Sequence, residues 1–362
     1  VDLVVTSPPY PMVEMWDESF GKHDPEISGA LADGNGAHAF EMMHLQMDRV
    51  WAECSRVLRP SGFLCINIGD ATRKVRDNFR LYSNHSRIIS CCESLGFQSL
   101  PLILWRKQTN APNKFMGSGM LPSGAYVTLE HEYILILRKG PKRVFRKEEA
   151  PRRRSSALFW EERNTWFSDL WDFKGVRQVL SAQGARDRSA AYPLELAHRL
   201  ISMYSLQGDV VLDPFLGTGT TTAASILNGR NSIGFEIVDS FSTLIKETVH
   251  SVSNAANTLI AGRLDAHLSF VAEQEERRGK PLSHFNETYG FRVMTGQERD
   301  LRLPTLDRIE VVGQSHFVAH HGFDTLGVED KLTAVDPRLA AQDLQQLPLF
   351  ADSAGESPTP SS

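Results

Sequence analysis

Apolar residues in this chain fall either in short unbroken runs or at helical spacing, and the two kinds of segment alternate. Residues 1–5 (VDLVV), 63–68 (FLCINI), 99–105, 132–138 (EYILILR), 209–213 (DVVLD) and 232–237 (SIGFEI) read as buried strands. Residues 40–58 place Met43, Met47, Val50, Trp51, Cys54, Val57 and Leu58 on one helical stripe, which Arg59-Pro60-Ser61-Gly62 terminates. A second helix is expected over about 84–95, and a third after the glycine-rich turn at 217–221. The pattern predicts an α/β fold, a Rossmann-like doubly wound and mostly parallel sheet with ligands at the strand carboxyl ends.

Two of these strands run into motifs with chemistry of their own. After 209–213, Gly217 and Gly219 let the backbone approach a ligand closely, and the following helix start offers unpaired N–H groups. Glu236 follows about twenty residues after the turn, where nucleotide-binding folds place a carboxylate on ribose hydroxyls. Taken alone, the same fragment is equally a tight strand-to-helix turn with a solvated glutamate. The strand at 1–5 runs into Thr6-Ser7-Pro8-Pro9-Tyr10, and two prolines cannot continue a central strand. The result is a stiff loop carrying a hydroxyl acceptor, carbonyls freed from the sheet and an aromatic ring. That set suits methylation of an exocyclic base amine, whose lone pair is delocalised until fixed oxygens accept its N–H bonds. Ser7 Oγ and the Pro8 carbonyl would be the acceptors, with Tyr10 stacking on an extruded base. A lone SPPY also reads as a strand terminator with a surface tyrosine.

The motifs and their order resemble the β-class of DNA amino-methyltransferases, in which the catalytic half precedes the cofactor half. The likeness covers residues 1–263 and includes RVLRPSGFLCINIGDA (56–71), LILWRKQTNAPNK (102–114), HEYILIL (131–137), SDLWDF (168–173), AAYPLELAHRLI (190–201) and DPFLGTGTT (213–221). It implies the class I fold of methyltransferases that use S-adenosyl-L-methionine (AdoMet), with permuted motif order. It also implies a catalytic half at 1–139, a target recognition region at 140–188, an AdoMet half at 189–263, a C-terminal extension at 264–336 and a flexible tail at 337–362. By the same likeness the catalytic loop is Ser7, Pro8, Pro9 and Tyr10. AdoMet would be held by Tyr192, Pro193, Asp213, Pro214, Phe215, Gly217, Thr218, Gly219, Thr220 and Glu236. In the family it resembles, a serine or threonine before PPY usually marks cytosine-N4 enzymes and an aspartate most adenine-N6 enzymes, so Ser7 favours N4-methylcytosine, with N6-adenine as the alternative. Where the family commonly has HPAxFP, this chain has Arg188-Ser189-Ala190-Ala191-Tyr192-Pro193. It also opens on Val1, inside the catalytic strand, so it is either a fragment or has another segment in place of the usual acidic loop and short helix.

Composition changes the picture at one place. The net charge of −5 is unfavourable for a DNA binder, yet residues 138–154 carry nine Lys or Arg against two Glu. Lys142, Arg143, Arg146, Lys147, Arg152, Arg153 and Arg154, with Lys174 and Arg177, are the expected phosphate contacts on double-stranded DNA. A solvated loop is the alternative. Base readers are expected among Arg163, Asn164, Trp166, Lys174, Arg177, Gln178, Gln183, Arg186 and Arg188. Residues 21–36, glycine-rich and poor in apolar side chains, read as a mobile loop over the target base or a disordered surface insert.

Four cysteines without a CxxC, and no signal-peptide or membrane-span pattern, predict a soluble cytoplasmic protein, bacterial and nucleoid-associated, with no zinc site. Residues 273–280 are charged, and 285–323 contain β-like runs expected to form a small appended sheet. His316, His320 and His321 there read as structural. Gln346, Leu347, Leu349 and Phe350 sit in QLPLF, which resembles the pentapeptide by which bacterial proteins dock on the sliding clamp. The other reading is an amphipathic segment packing on the domain. A restriction–modification context is expected, with any cognate restriction endonuclease acting separately. The reading from a different class is a catalytically idle DNA-binding or clamp-associated protein that keeps the fold.

Overall fold

A computed structural model of the chain describes residues 1–107, 116–117, 120–175, 192–313 and 315–322. β1 (Leu3–Thr6) is buried throughout and stops where Pro8 and Pro9 remove two ladder donors. Residues 21–36 fold instead of forming the expected loop: they contribute to α1 (Asp17–His23) and α2 (Pro25–Ala32), which bury Phe20, Ile27 and Ala30. Three apolar side chains on one side suffice here, and Asp24 caps α2 by accepting from Glu26 N at 3.1 Å. α3 (Gly36–Val57) starts earlier than its apolar stripe, because the Asn35 side chain caps it by accepting from His38 N at 3.2 Å.

β2 (Phe63–Ile68) follows, then the hairpin β3 (Ala71–Val75) and β4 (Asn78–Tyr82), then α4 (Asn84–Ser94). The strand expected over 99–105 is split into β5 (Phe97–Ser99) and β6 (Ile103–Arg106), with Pro101, which lacks a ladder donor, between them. A second hairpin, β7 (Met116–Gly117) with β8 (Ala125–Tyr126), precedes β9 (His131–Lys139). α5 (Ala150–Ser155) and α6 (Trp160–Trp166) lead to β10 (Leu170–Asp172). The segment expected to be the AdoMet half contributes α7 (Leu194–Tyr204), β11 (Val210–Asp213), α8 (Thr220–Leu227) and β12 (Asn231–Gly234). α9 (Phe241–Arg278) then runs without a break through the boundary expected at 263. Two separate hairpins, β13 (His284–Asn286) with β14 (Phe291–Val293) and β15 (Thr305–Val311) with β16 (Phe317–Gly322), replace the single appended sheet.

Eight strands form one sheet in the order β10-β6-β9-β2-β1-β11-β12, with β5 beside the far end of β9. β9 alone runs against the others, so the sheet is mixed but mostly parallel. Leu3 and Val5 face a core under α7, α8 and α9, while Val4 faces one under α3 and α4. That alternation makes a three-layer α/β/α domain and explains why the strands lack polar alternation. A third cluster joins Phe159 of the α5–α6 segment to Ile260 and Leu264 of α9 and to Tyr289, Phe291 and Val293.

Strand direction fixes where each insertion lies. β9 begins beside the carboxyl ends of the parallel strands, with Tyr133 opposite Ile68, and finishes at their amino ends, with Arg138 opposite Phe63. β10 starts at that same amino end. Residues 140–169 therefore lie at the amino end of the sheet, and only the chain beyond Asp172 returns to the carboxyl end.

Candidate active site

β1 and β11 are adjacent and parallel, so the loops after Thr6 and after Asp213 emerge side by side. A hydrogen-bonded hub ties them together. Asp213, 1% exposed, accepts from Thr6 Oγ1 at 2.6 Å, Thr221 Oγ1 at 2.5 Å, Phe215 N at 3.0 Å and Tyr192 OH at 3.3 Å. Burial pushes its carboxyl above the usual carboxylate range, and the donated hydrogen bonds oppose that rise. Tyr192 also bonds Thr221. Asp213 thus joins the two halves of the chain at the point where their loops meet.

On the loop after β1, Tyr10 OH donates to Glu132 Oε2 at 2.9 Å and receives from Asn67 Nδ2 at 2.9 Å. Ser7 Oγ lies 3.1 Å from the same hydroxyl. Tyr10 has one hydroxyl proton, and that faces Glu132, so Ser7 is the donor in this contact; its oxygen accepts from Asn67 Nδ2 at 3.5 Å and keeps one lone pair. Asn67 Nδ2 also donates to Glu132 Oε2 at 2.7 Å, while Lys107 Nζ pairs with Glu132 Oε1. Burial, then the Glu132 charge, pushes the Tyr10 phenol well above its ordinary value, so it stays protonated. The ring packs so closely on Gly69 that a side chain there would come to 3.0 Å.

A cavity of about 660 Å³ opens beside both loops. Ser7 and Pro9 line it from the loop after β1; Tyr192, Pro214, Phe215, Gly217, Thr218, Thr220 and Glu236, all expected to hold AdoMet, line it from the later part of the chain. Gly217 and Gly219 have positive φ, +55° and +93°, the conformation the turn before α8 requires. Glu236 lies beyond β12 rather than within it, and its oxygens accept from Gly217 N and Val238 N, each at 2.8 Å. Each oxygen retains a further lone pair for a hydroxyl. Asp213, Pro193 and Gly219 are not among the residues that line the cavity: Asp213 is the hub, Pro193 precedes α7 and Gly219 precedes α8. Further lining comes from α1 through Phe20 and His23, from Asp24 between α1 and α2, and from α3 through Met47 and Val50, so residues 21–36 reach the cavity. Apolar walls with two carboxylates and backbone amides fit a molecule that combines an aromatic base, a ribose diol and a charged amino-acid end.

The expected DNA contacts separate into two groups. Lys174 is exposed at the carboxyl end beyond β10, on the side of the catalytic loop; Arg177, Gln178, Gln183, Arg186 and Arg188 lie outside the described residues. Lys142, Arg143, Arg146, Lys147, Arg152, Arg153 and Arg154 lie at the opposite end of the sheet. Arg143 and Arg152 are tied to the buried Asp209 at the start of β11, at 3.4 and 2.8 Å, and Arg143 also to Glu149 at 2.7 Å. Arg163, Asn164 and Trp166 share that end, on α6. His320 and His321 are on β16, where His321 reaches Ile226 O at 2.7 Å and anchors the hairpin on α8.

Asn67, Lys107 and Glu132 were not among the expected site residues. Their signal was present as a lone polar residue inside FLCINI and an acid opening YILIL; both side chains are now buried, 2% and 9% exposed.

Comparison with known proteins agrees with this geometry. The N6/N4 methyltransferase profile, described as DNA methylase, matches residues 1–247. The Type II methyltransferase M.MthZI of Methanothermobacter thermautotrophicus is 52% identical over 306 residues, 84% of either chain. The DNA adenine methyltransferase YhdJ of Escherichia coli is 27% identical, over 66% of this chain and 72% of its own. Among solved structures, the Thermus thermophilus protein TTHA0409 complexed with S-adenosyl-L-methionine is 34% identical, with a TM-score of 0.53 over 70% of this chain and 86% of its own.

Proposed function

Because this chain belongs to the N6/N4 DNA methylase family and is an AdoMet-dependent DNA methyltransferase, we propose that its target is the exocyclic N4 amine of a cytosine turned out of the duplex. The observation that carries the reading is the shared cavity, in which Ser7 and Pro9 stand on the same wall system as the glycine turn. Bound there, S-adenosyl-L-methionine supplies an electrophilic methyl group. Glu236 offers acceptors to the ribose hydroxyls, the Gly217 turn admits close approach, and Phe215 and Val50 contribute apolar surface.

The chain's own part in the reaction is to ready the amine. Ser7 directs its proton to Tyr10 and so presents its remaining lone pair to an amine hydrogen, with the Pro8 carbonyl as the second acceptor that the motif resemblance implies. As those hydrogens are accepted, the nitrogen lone pair leaves conjugation and can attack. Glu132 and Asn67 fix Tyr10, and Tyr10 fixes Ser7, so the acceptor is placed before the base arrives. A neutral hydroxyl in this place supports cytosine; the kinship with an adenine enzyme supports adenine N6 as the second reading. The kinship with Type II methyltransferases supports a restriction–modification role, with any endonuclease a separate chain. The pentapeptide with Gln346, Leu347, Leu349 and Phe350 lies outside the described residues, and its docking on a sliding clamp rests on the sequence resemblance alone.

Mass spectrometry of DNA from cells expressing the protein tests the base assignment. N4-methylcytosine is expected; N6-methyladenine alone would replace it with the second reading. The Ser7→Ala variant is expected to lower turnover at least about tenfold with AdoMet still bound.

A further inference from the structure

We propose that the groove between α5, α6 and the hairpin β13–β14 binds a single strand of nucleic acid at the end of the sheet opposite the catalytic loop. This goes beyond methyl transfer and does not depend on which base is the target. The groove is about 1600 Å³ in volume, larger than small-molecule pockets usually are, and suits a polymer. Six exposed cations line it: Arg146, Lys147, Arg153, Arg163, Arg299 and Arg302. None of them forms an ion pair among the described residues, although the chain as a whole is acidic.

The lining carboxylates do not cancel this charge. Asp300 is taken by Arg154 at 3.5 Å. Glu298, 2% exposed, accepts from Trp160 N at 2.9 Å and from Thr295 N and Oγ1 at 2.7 and 2.8 Å. Glu287 remains. Cations held together without counter-charges repel one another, so a polyanion that neutralises them binds with release of condensed salt.

Trp160, Phe167 and Phe285 distinguish a strand from a duplex. They are 39, 45 and 41% exposed within the same groove, and burying such rings against unpaired bases is the usual stacking arrangement for single strands. A duplex would present only its backbone to them. The site is also remote from the chemistry, because β9 needs nine residues, on the order of 27 Å, to pass from one end of the sheet to the other.

Fluorescence anisotropy of a labelled oligothymidine strand with the full chain tests the proposal. The triple variant Arg153→Glu, Arg163→Glu, Arg302→Glu is expected to bind it at least about tenfold more weakly. AdoMet binding, followed by calorimetry, should not change. An unlabelled duplex of equal length should leave the strand in place. Wild-type affinity in the triple variant, or full displacement by the duplex, would overturn the assignment. Should the triple variant fail to bind AdoMet, the milder Arg146→Gln, Lys147→Gln pair decides: about threefold weaker strand binding supports the groove, and equal binding refutes it.

Discussion

At the scale of residues, the site is organised by two carboxylates that need not touch a substrate. Asp213 gathers Thr6, Thr221, Phe215 N and Tyr192, and Glu132 gathers Tyr10, Asn67 and Lys107. In the proposed reading the second assembly bears on catalysis through geometry, since Ser7 is held by Tyr10 and Asn67, both bonded to Glu132. Glu132→Gln keeps the shape but weakens the charge-assisted acceptor for Tyr10, and the amide can turn a donor toward the phenol. The expected result is a fall in kcat of about tenfold or more, with AdoMet affinity within about twofold of wild type. Single-turnover transfer beside a binding titration measures both. Equal losses in turnover and affinity would mean that Glu132 supports the fold in general and not Ser7 in particular.

At the scale of elements, what was legible was whatever depends on local pattern. β2 matches its apolar run residue for residue, and β9 and β11 match to within one residue. The TSPPY and glycine loops fell at strand ends because proline and glycine act on their own backbone. What was not legible depends on partners far along the chain. α1 and α2 were missed because their few apolar side chains gain a core only from α3, and Arg143 and Arg152 looked free because Asp209 lies more than fifty residues away. A similar distant contact gives a pH prediction. His44 on α3 is buried and faces Asn84 Oδ1 at 3.0 Å at the start of α4, and Asn84 in turn holds the carbonyls of Pro11 and Gly69. Burial lowers the His44 pKa from 6.5 to about 4. The unfolded chain therefore takes up this proton before the folded one does. Stability from the neutral imidazole is fully present above pH 6.5 and is lost as pH falls toward about 4, on the order of 3 kcal/mol. Urea unfolding at several pH values should show a smaller acid loss in His44→Gln than in the wild type. Parallel losses would exclude His44 as a source.

At the scale of the whole molecule, the chain beyond the family match is continuous with the methyltransferase body. α9 passes from Val249, Val252 and Ala256 in the main core to Ile260 and Leu264 in the third cluster within one helix. Two further ties bind the extension. Asn257 Oδ1 accepts from Leu306 N at 2.9 Å and its Nδ2 donates to Leu306 O at 2.9 Å, while Leu306 is buried in the main core. Arg263 pairs with Glu162 of α6, joining the same helix to the segment that bears the basic groove. A chain ended after residue 263 would keep Phe159 and Ile260 but lose Tyr289, Phe291, Val293, Leu301 and Leu303, the side chains that cover them. Each such side chain is worth about 1.5–3 kcal/mol of burial, a sum only partly offset by the entropy of ordering fewer residues. The expected outcome is a truncated chain that is insoluble or melts at least about 5 °C lower, with AdoMet binding weakened because α9 also packs on α8 behind the glycine turn. The Asn257→Ala variant separates the tie from the mass of the extension: losing both hydrogen bonds should cost about 1–2 kcal/mol while leaving the clusters intact. Calorimetric melting of the three proteins decides it. A truncated chain with the full-length melting temperature would make residues 264–322 a separate module resting on the enzyme, not part of its core.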